Sequence, residues 1–403
     1  MRIALVSQEY PPETALGGIG SQTHAKAHGL AALGHEVSVI SHSIDGATHR
    51  YFDNEVRVLR IPGKDEALPI YSEAVRWISY SVEVAAAIAG LHAEHPLDIV
   101  DFPEWGAEGY VHLLNQTEWN RIPSVVQLHG PLVMFAHMIG WPETESEFYR
   151  VGTMMEATCL RLADAVFSSS DCSAEWCADH YGLDPASMPT LHTGIDTSLF
   201  RRREVVRDER PTIIFVGKIE HNKGVKILVA AAIRLRQAFP DLRLRIVGRG
   251  NDELAAELEA EVLAEGAGDL LELCGFVERE QLPAYLSAAD VFIAPSVYEG
   301  GPGFVYLEAM ACGLPVIACQ GSGSSEAVTD RETGLLVPPN DIDALVEALA
   351  QLLRDPAAAK AMGARGRQYV ERHADSRNCM RRLEAFYQGV ISRRSAAEAA
   401  MCA

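Results

Sequence analysis

The stretch YEGGPGFVYLEAMACGLPV, residues 298–316, sets two carboxylates, Glu299 and Glu308, around a glycine-rich turn that opens an apolar helix. The first amides of a helix lack intrahelical acceptors and attract anions. Gly303, Phe304 and Val305 would supply those amides here. Carboxylates accept hydrogen bonds from vicinal hydroxyls. A ligand that carries phosphate beside hydroxyls, a nucleotide sugar, satisfies both halves of the stretch. For Glu308 the other reading is an acid that merely favours the helix dipole. Its neighbours Leu307, Ala309 and Met310 are apolar, which weakens that reading.

Two further stretches offer positive charge or backbone amides. FVGKIEHNKGV, residues 215–225, puts Lys218 and Lys223 on a loop that leaves a strand and enters a helix. Two ammonium groups near a helix start suit a pyrophosphate; the alternative is two solvated surface lysines. The place after a strand's carboxyl end favours the ligand. GGIG, residues 17–20, follows the first strand and opens the first helix, so Gly17 and Gly18 suit an anion as well. A dinucleotide fingerprint would need a third glycine or alanine, and Ser21, Gln22 and Thr23 follow instead; a tight turn without a ligand also fits. His129 ends the apolar stretch VVQLHG and is read either as a ligand contact or as a structural histidine.

The elements that must position these residues follow an α/β pattern. Short apolar runs (RIALVS, HEVSVIS, EVRVLRI, LDIVDF, PSVVQLHG, DAVFSSS) alternate with helical patterns, then a polar, charge-dense segment spans 192–211. The alternation restarts with TIIFVG, LRLRIVG, LLELCGF, DVFIAPS, LPVIA and GLLVP, and the chain from Asp341 onward is helical. At 403 residues two domains are expected. We expect an N-terminal Rossmann-like domain over 1–200, a second over 201–375, and a C-terminal helix over 376–403. Two such domains facing each other would place a cleft at the carboxyl ends of both sheets.

Formal net charge is −20, from 35 basic and 55 acidic residues, which argues against nucleic acid or an anionic membrane as the main partner. The start reads as a strand rather than a signal peptide, and no uninterrupted apolar run reaches the roughly 18 residues of a spanning helix. The eight cysteines are scattered, and Cys172 and Cys177 lack a second pair for zinc, so a reduced, cytoplasmic protein is expected. The sequon at Asn115 is read as chance.

FVGKIEHNKGV, YEGGPGFVYLEAMACGLPVIA and TGLLVPPND, with PPETALGGIGSQTHAKAHGLAALGHEVSVI and HTGIDTSLF, together resemble the retaining glycosyltransferases of family 4, in that family's order and over nearly the whole chain. The resemblance implies the GT-B fold, with the last helix crossing back to the first domain. It implies that Lys218 and Lys223 hold the donor pyrophosphate and that Glu308 binds the ribose. Glu299 would contact the transferred sugar, while Gly303, Phe304 and Val305 offer backbone amides to phosphate and sugar. Gly17 and Gly18 would line the N-terminal loop, His129 would lie near the donor sugar, and Phe276 and Val277 would frame the base. Two departures stand out. Eight residues separate Glu299 from Glu308 where the family usually has seven, and Thr193 replaces a common asparagine.

The implied chemistry is a metal-free, front-face transfer from a nucleotide sugar to a hydroxyl, with no cofactor. A UDP-sugar is expected and GDP-mannose is the alternative. The acceptor would be a carbohydrate, a small molecule or a lipid-linked sugar, bound by loops near 10–20, 62–72 and 130–145, where Tyr71, Trp77, Phe135 and Trp141 suit stacking. No stable membrane insertion is expected, and the protein would be a monomer or weak homodimer. The rivals are a nucleotide-sugar epimerase, a pyridoxal-phosphate phosphorylase and a non-catalytic sugar-nucleotide sensor.

Overall fold

The structure is a computed structural model that describes residues 1–14, 18–63, 71–207, 209–321 and 323–402, with residues 397–402 described by backbone alone. The chain divides into two compact units, Met1–Thr193 with Ser376–Ala403, and Gly194–Asp375.

The first unit runs β1 (Arg2–Val6), α1 (Gly18–Ala32), β2 (Glu36–His42), β3 (His49–Asp53), β4 (Val56–Ile61), α2 (Glu73–Glu94) and β5 (Ile99–Pro103). It continues through α3 (Tyr110–Leu114), β6 (Ser124–Leu128), α4 (Leu132–Ile139), α5 (Glu147–Leu162), β7 (Ala165–Ser168) and α6 (Asp171–Tyr181). Its seven-stranded sheet has the order β3-β4-β2-β1-β5-β6-β7. All neighbours pair in parallel except β3 with β4. The strands are apolar on both faces because both are covered. Ile3 and Leu5 of β1 pack with Leu30 of α1, while Ala4 and Val6 pack in a second core with Trp77, Val84 and Ile88 of α2.

β3 has no counterpart among the strands expected from the apolar runs. Its sequence HRYFD is polar because it is an edge, hydrogen-bonded to β4 alone. The turn from Asp53 to Val56 is closed by Asn54 at φ 52°, a left-handed conformation that asparagine tolerates. α2 also departs from expectation. By length and composition it is able to cross a membrane. Its apolar stripe, however, is built into the unit's core through Trp77, Tyr80, Val84, Ile88 and Leu91.

The second unit contains β8 (Thr212–Val216), α7 (Val225–Leu235), β9 (Arg243–Val247), α8 (Asp252–Ala264), β10 (Leu271–Gly275) and α9 (Leu282–Ser287). It then contains β11 (Val291–Ala294), α10 (Phe304–Ala311), β12 (Val316–Cys319), β13 (Gly334–Val337), α11 (Ile342–Arg354) and α12 (Pro356–His373). The six-stranded sheet is parallel, in the order β10-β9-β8-β11-β12-β13. Its order reverses between β8 and β11, the place where doubly wound sheets bind ligands.

α13 (Ser376–Cys402) returns to the first unit. Cys379, Met380, Leu383, Tyr387 and Val390 are buried there with Ile3, Leu5 and Leu30. Gly29 of α1 makes room: a Cβ at that position would come within 2.5 Å of Met380 Cγ. The Tyr387 hydroxyl donates to Asp101 of β5, which also accepts from the buried Lys26 Nζ at 2.7 Å.

Candidate functional site

In the second unit, the loops after β8, β10 and β11 leave the same edge of the sheet, because those strands run parallel in one sheet. The loop after β8 carries Lys218 and Lys223 and ends at Gly224. Gly224 takes φ 70°, and a Cβ there would lie 2.2 Å from the Pro295 carbonyl oxygen. Glycine therefore lets this loop lie directly on the exit of β11. The contact is completed by the Val297 amide, which donates to the Asn222 carbonyl at 3.0 Å.

That apposition brings Lys223 to Glu299: Nζ donates to Oε1 at 2.7 Å, with side chains only 23% and 18% exposed. Lys218 is exposed and forms no ion pair among the described residues. Gly303 starts α10 at φ 63°, and a Cβ there would meet the Tyr306 ring at 2.6 Å. Phe304 and Val305 are the first residues of the helix and are half-buried. Tyr306 is buried beneath them and donates its hydroxyl to the Ala294 carbonyl.

Glu308, one turn further on, is 3% exposed and paired with Arg279 at 2.8 Å. Burial pushes its carboxyl up to about 7, and the charge and hydrogen bond of Arg279 oppose that shift. Arg279 follows Phe276 and Val277 in the loop after β10, and its guanidinium lies 4.9 Å from the Phe200 ring centroid. Phe276 is exposed and Val277 half-buried. The structure thus joins the segment expected to frame a base to the glutamate expected to bind a ribose, through an arginine that the motif reading omitted. The FVERE spacing, a basic residue just after the Phe-Val pair, was the available signal.

In the first unit, Gly18 begins α1, Gly17 lies outside the described residues, and the Gly20 amide donates to Glu9 Oε2 at 3.3 Å. His129 follows β6 and is held by Glu104, the residue after β5. Glu104 accepts from the His129 and Gly130 amides at 2.7 and 2.6 Å and lies 3.1 Å from His129 Nδ1. The Gln127 carbonyl is also 3.1 Å from Nδ1. Two acceptors at Nδ1 place the proton there. Nε2 is buried without a hydrogen-bond partner among the described residues, so it is the atom left to meet a ligand. Glu104 escaped the motif reading, although an acid directly after an apolar strand marks such a position.

The first unit also revises the stacking surface expected of its loops. Residues 132–139 form α4 rather than loop, and Trp77 is a core residue of α2. Residues 64–70 and 15–17, in the other two loops, lie outside the described residues. Phe135 and Trp141 do gather, with Trp105 at ring-centroid distances of 5.4 and 6.4 Å. Tyr71 is exposed.

Two doubly wound units, with a basic loop and a buried acid at the switch point of the second, fit the GT-B class of glycosyltransferases, and the family matches identify that class. Residues 196–369 match the family Glycosyl transferases group 1, and residues 17–194 match the Glycosyl transferase 4-like domain. Among its relatives is the alpha-maltose-1-phosphate synthase of Mycolicibacterium smegmatis, 32% identical over 91% of this chain and 94% of the relative. A GDP-mannose-dependent alpha-(1-6)-phosphatidylinositol monomannoside mannosyltransferase of the same organism is 30% identical over 91% of this chain and 93% of its own. The sucrose-phosphate synthase of Thermosynechococcus elongatus superposes with a TM-score of 0.80 at 25% identity, covering 97% of this chain and 99% of that one. The chain belongs to the group 1, family 4-like glycosyltransferases.

Proposed function

We propose that this glycosyltransferase moves a hexosyl group, with retention and without a metal, from a nucleoside-diphosphate sugar to an acceptor hydroxyl. The observation that carries the reading is the Lys223–Glu299 pair at the switch point of the second sheet, 2.7 Å apart, with Lys218 on the same loop. Lys223 and Lys218 take the pyrophosphate, aided by the amides that open α10. Glu308 accepts from the ribose hydroxyls, and Glu299 from the hydroxyls of the transferred sugar. In the reaction the bond from C1 to the leaving diphosphate oxygen breaks and the acceptor oxygen bonds C1 from the same face. The acceptor proton passes to the departing phosphate, so no carboxylate nucleophile is needed. The two lysines and the helix amides stabilise the negative charge that develops on the leaving group. His129 Nε2, oriented through Glu104, serves the donor sugar as a hydrogen-bonding group.

A UDP-sugar is the donor we favour, and a relative named as GDP-mannose-dependent supports GDP-mannose as the second reading. The exposed Trp141 and its neighbours support a carbohydrate acceptor, since aromatic faces stack on sugars. The test is thermal unfolding with UDP-, GDP- and ADP-sugars. A ligand at a hundred times its dissociation constant adds about 2.7 kcal/mol, so the true donor stands out. Transfer assays with that donor follow, with the product anomer read by NMR and with EDTA present. An inverted anomer, loss of turnover in EDTA while circular dichroism shows the protein still folded, or isomerised donor without acceptor would each refute a part of the reading.

A further inference from the structure

The first unit holds a cluster that the transferase chemistry does not use. His24 and His28 lie four residues apart in HAKAH on α1, so both project from one face of the helix. Asp53, the last residue of edge strand β3, reaches the same point. His28 Nε2 is 2.9 Å and His24 Nε2 3.5 Å from one oxygen, Asp53 Oδ2. The two imidazole rings are 4.2 Å apart, centroid to centroid. The three ligand atoms all lie within 4.8 Å of one another.

Tetrahedral zinc with bonds of roughly 2.0 Å has ligand-to-ligand edges of about 3.3 Å. Both measured nitrogen-to-oxygen distances fall within a few tenths of an ångström of that edge. The cluster is also held in place. Tyr10, fully buried, donates its hydroxyl to Asp53 Oδ2 at 2.9 Å, and Asn54 Nδ2 lies 3.3 Å from Oδ1. Such outer partners orient a ligating carboxylate. His24 is 41% exposed, which gives an ion a route in and leaves a fourth position for water. One histidine would suffice for a simple pair with Asp53. Two imidazole nitrogens converging on a single carboxylate oxygen make an N₂O donor set, the kind that borderline divalent ions select.

We propose that His24, His28 and Asp53 bind a divalent transition-metal ion, Zn²⁺ by ligand type, that ties β3 to α1. Every ligand belongs to the first unit, whereas Lys223, Glu299 and Glu308 belong to the second. The ion is therefore a structural clasp, distinct from the donor clamp.

The test uses the full-length, untagged protein, with Co²⁺ as a spectroscopic probe and Zn²⁺ as competitor. The expected result is one Co²⁺ per chain with the strong visible bands of a four-coordinate site, displaced by one Zn²⁺. Zn²⁺ should also raise the melting temperature. His24→Gln and Asp53→Asn should each weaken Zn²⁺ binding at least tenfold and remove the melting shift. Tyr10→Phe should weaken it by about tenfold through its outer contact. Melting without metal checks that each variant is folded; His24 is exposed enough that its variant should keep the parent value. Weak six-coordinate bands in the parent would overturn the proposal, as would affinity unchanged in both His24→Gln and Asp53→Asn.

Discussion

Lys223 and Glu308 are positioned differently, and their substitutions should fail differently. Lys223 is partly exposed and its ion pair with Glu299 crosses two loops, so it adds little to stability. Lys223→Ala should lower kcat by about 10²–10³-fold, the scale for removing one charge-stabilising group, with little change in melting temperature. Near-normal turnover in that folded variant would sink the proposed role. Glu308 is buried, and its carboxyl stands at about 7 in the free protein. Ribose hydroxyls are accepted better by the carboxylate than by the acid. Affinity for a nucleotide sugar, whose diphosphate diester does not titrate near neutrality, should therefore rise several-fold between about pH 6 and about pH 8. Glu308→Gln should bind more weakly and show no such rise; calorimetric titration at both pH values decides it.

At the scale of elements, α13 completes the first unit's core from the far end of the chain. Met380 is 1% exposed and rests on Gly29 of α1. Truncating it removes buried methylene and sulfur and leaves a cavity. Met380→Ala should cost about 2–5 kcal/mol, read as a shift in denaturant midpoint with its slope unchanged. A loss below about 1 kcal/mol would mean that α13 docks without using this contact. The same scale explains what the hydrophobic pattern missed. β3 is polar because an edge strand buries little, and the pattern suggests a loop at α4 because LVMFAHMI follows a proline and is only eight residues long. Buried parallel strands were legible because both faces are covered, which makes them continuous apolar runs.

For the whole molecule, buried ionisable groups set the pH dependence of stability. Burial pushes the carboxyls of Glu108 and Glu156 up to about 8 from an ordinary 4.5, against hydrogen bonds that lower them. Between those values the folded chain holds protons that the unfolded chain has released, so stability falls as pH rises. Burial lowers His112 to about 4 and lowers His180 and His192 also. Below their ordinary 6.5 the unfolded chain binds more protons at these sites, so stability there rises with pH. The two effects oppose each other in mild acid, and above about pH 7 the acids remain without that opposition. The urea midpoint should fall between about pH 7 and about pH 8.5, and Glu156→Gln should flatten part of that fall. An identical slope in the variant would show that Glu156 does not carry it.

The alternation of strands and helices and the family are legible in the linear sequence, as are the residues proposed for the donor site, Lys218, Lys223, Glu299, Gly303 and Glu308. These signals are local: apolar period, glycine at a turn, charge beside a helix start. Which residues meet is set by the fold. Arg279 reaches Glu308, Glu104 orients His129, and Lys223 pairs with Glu299, because parallel strands of one sheet deliver distant loops to one edge. His24 and His28 are visible as a helical pair in the sequence, but the carboxylate that completes their cluster arrives on an edge strand 25 residues after His28, paired to β4 by backbone hydrogen bonds. Contacts of that kind depend on strand order and register, which arise when the whole sheet buries its two faces and leave no mark in a local run of residues.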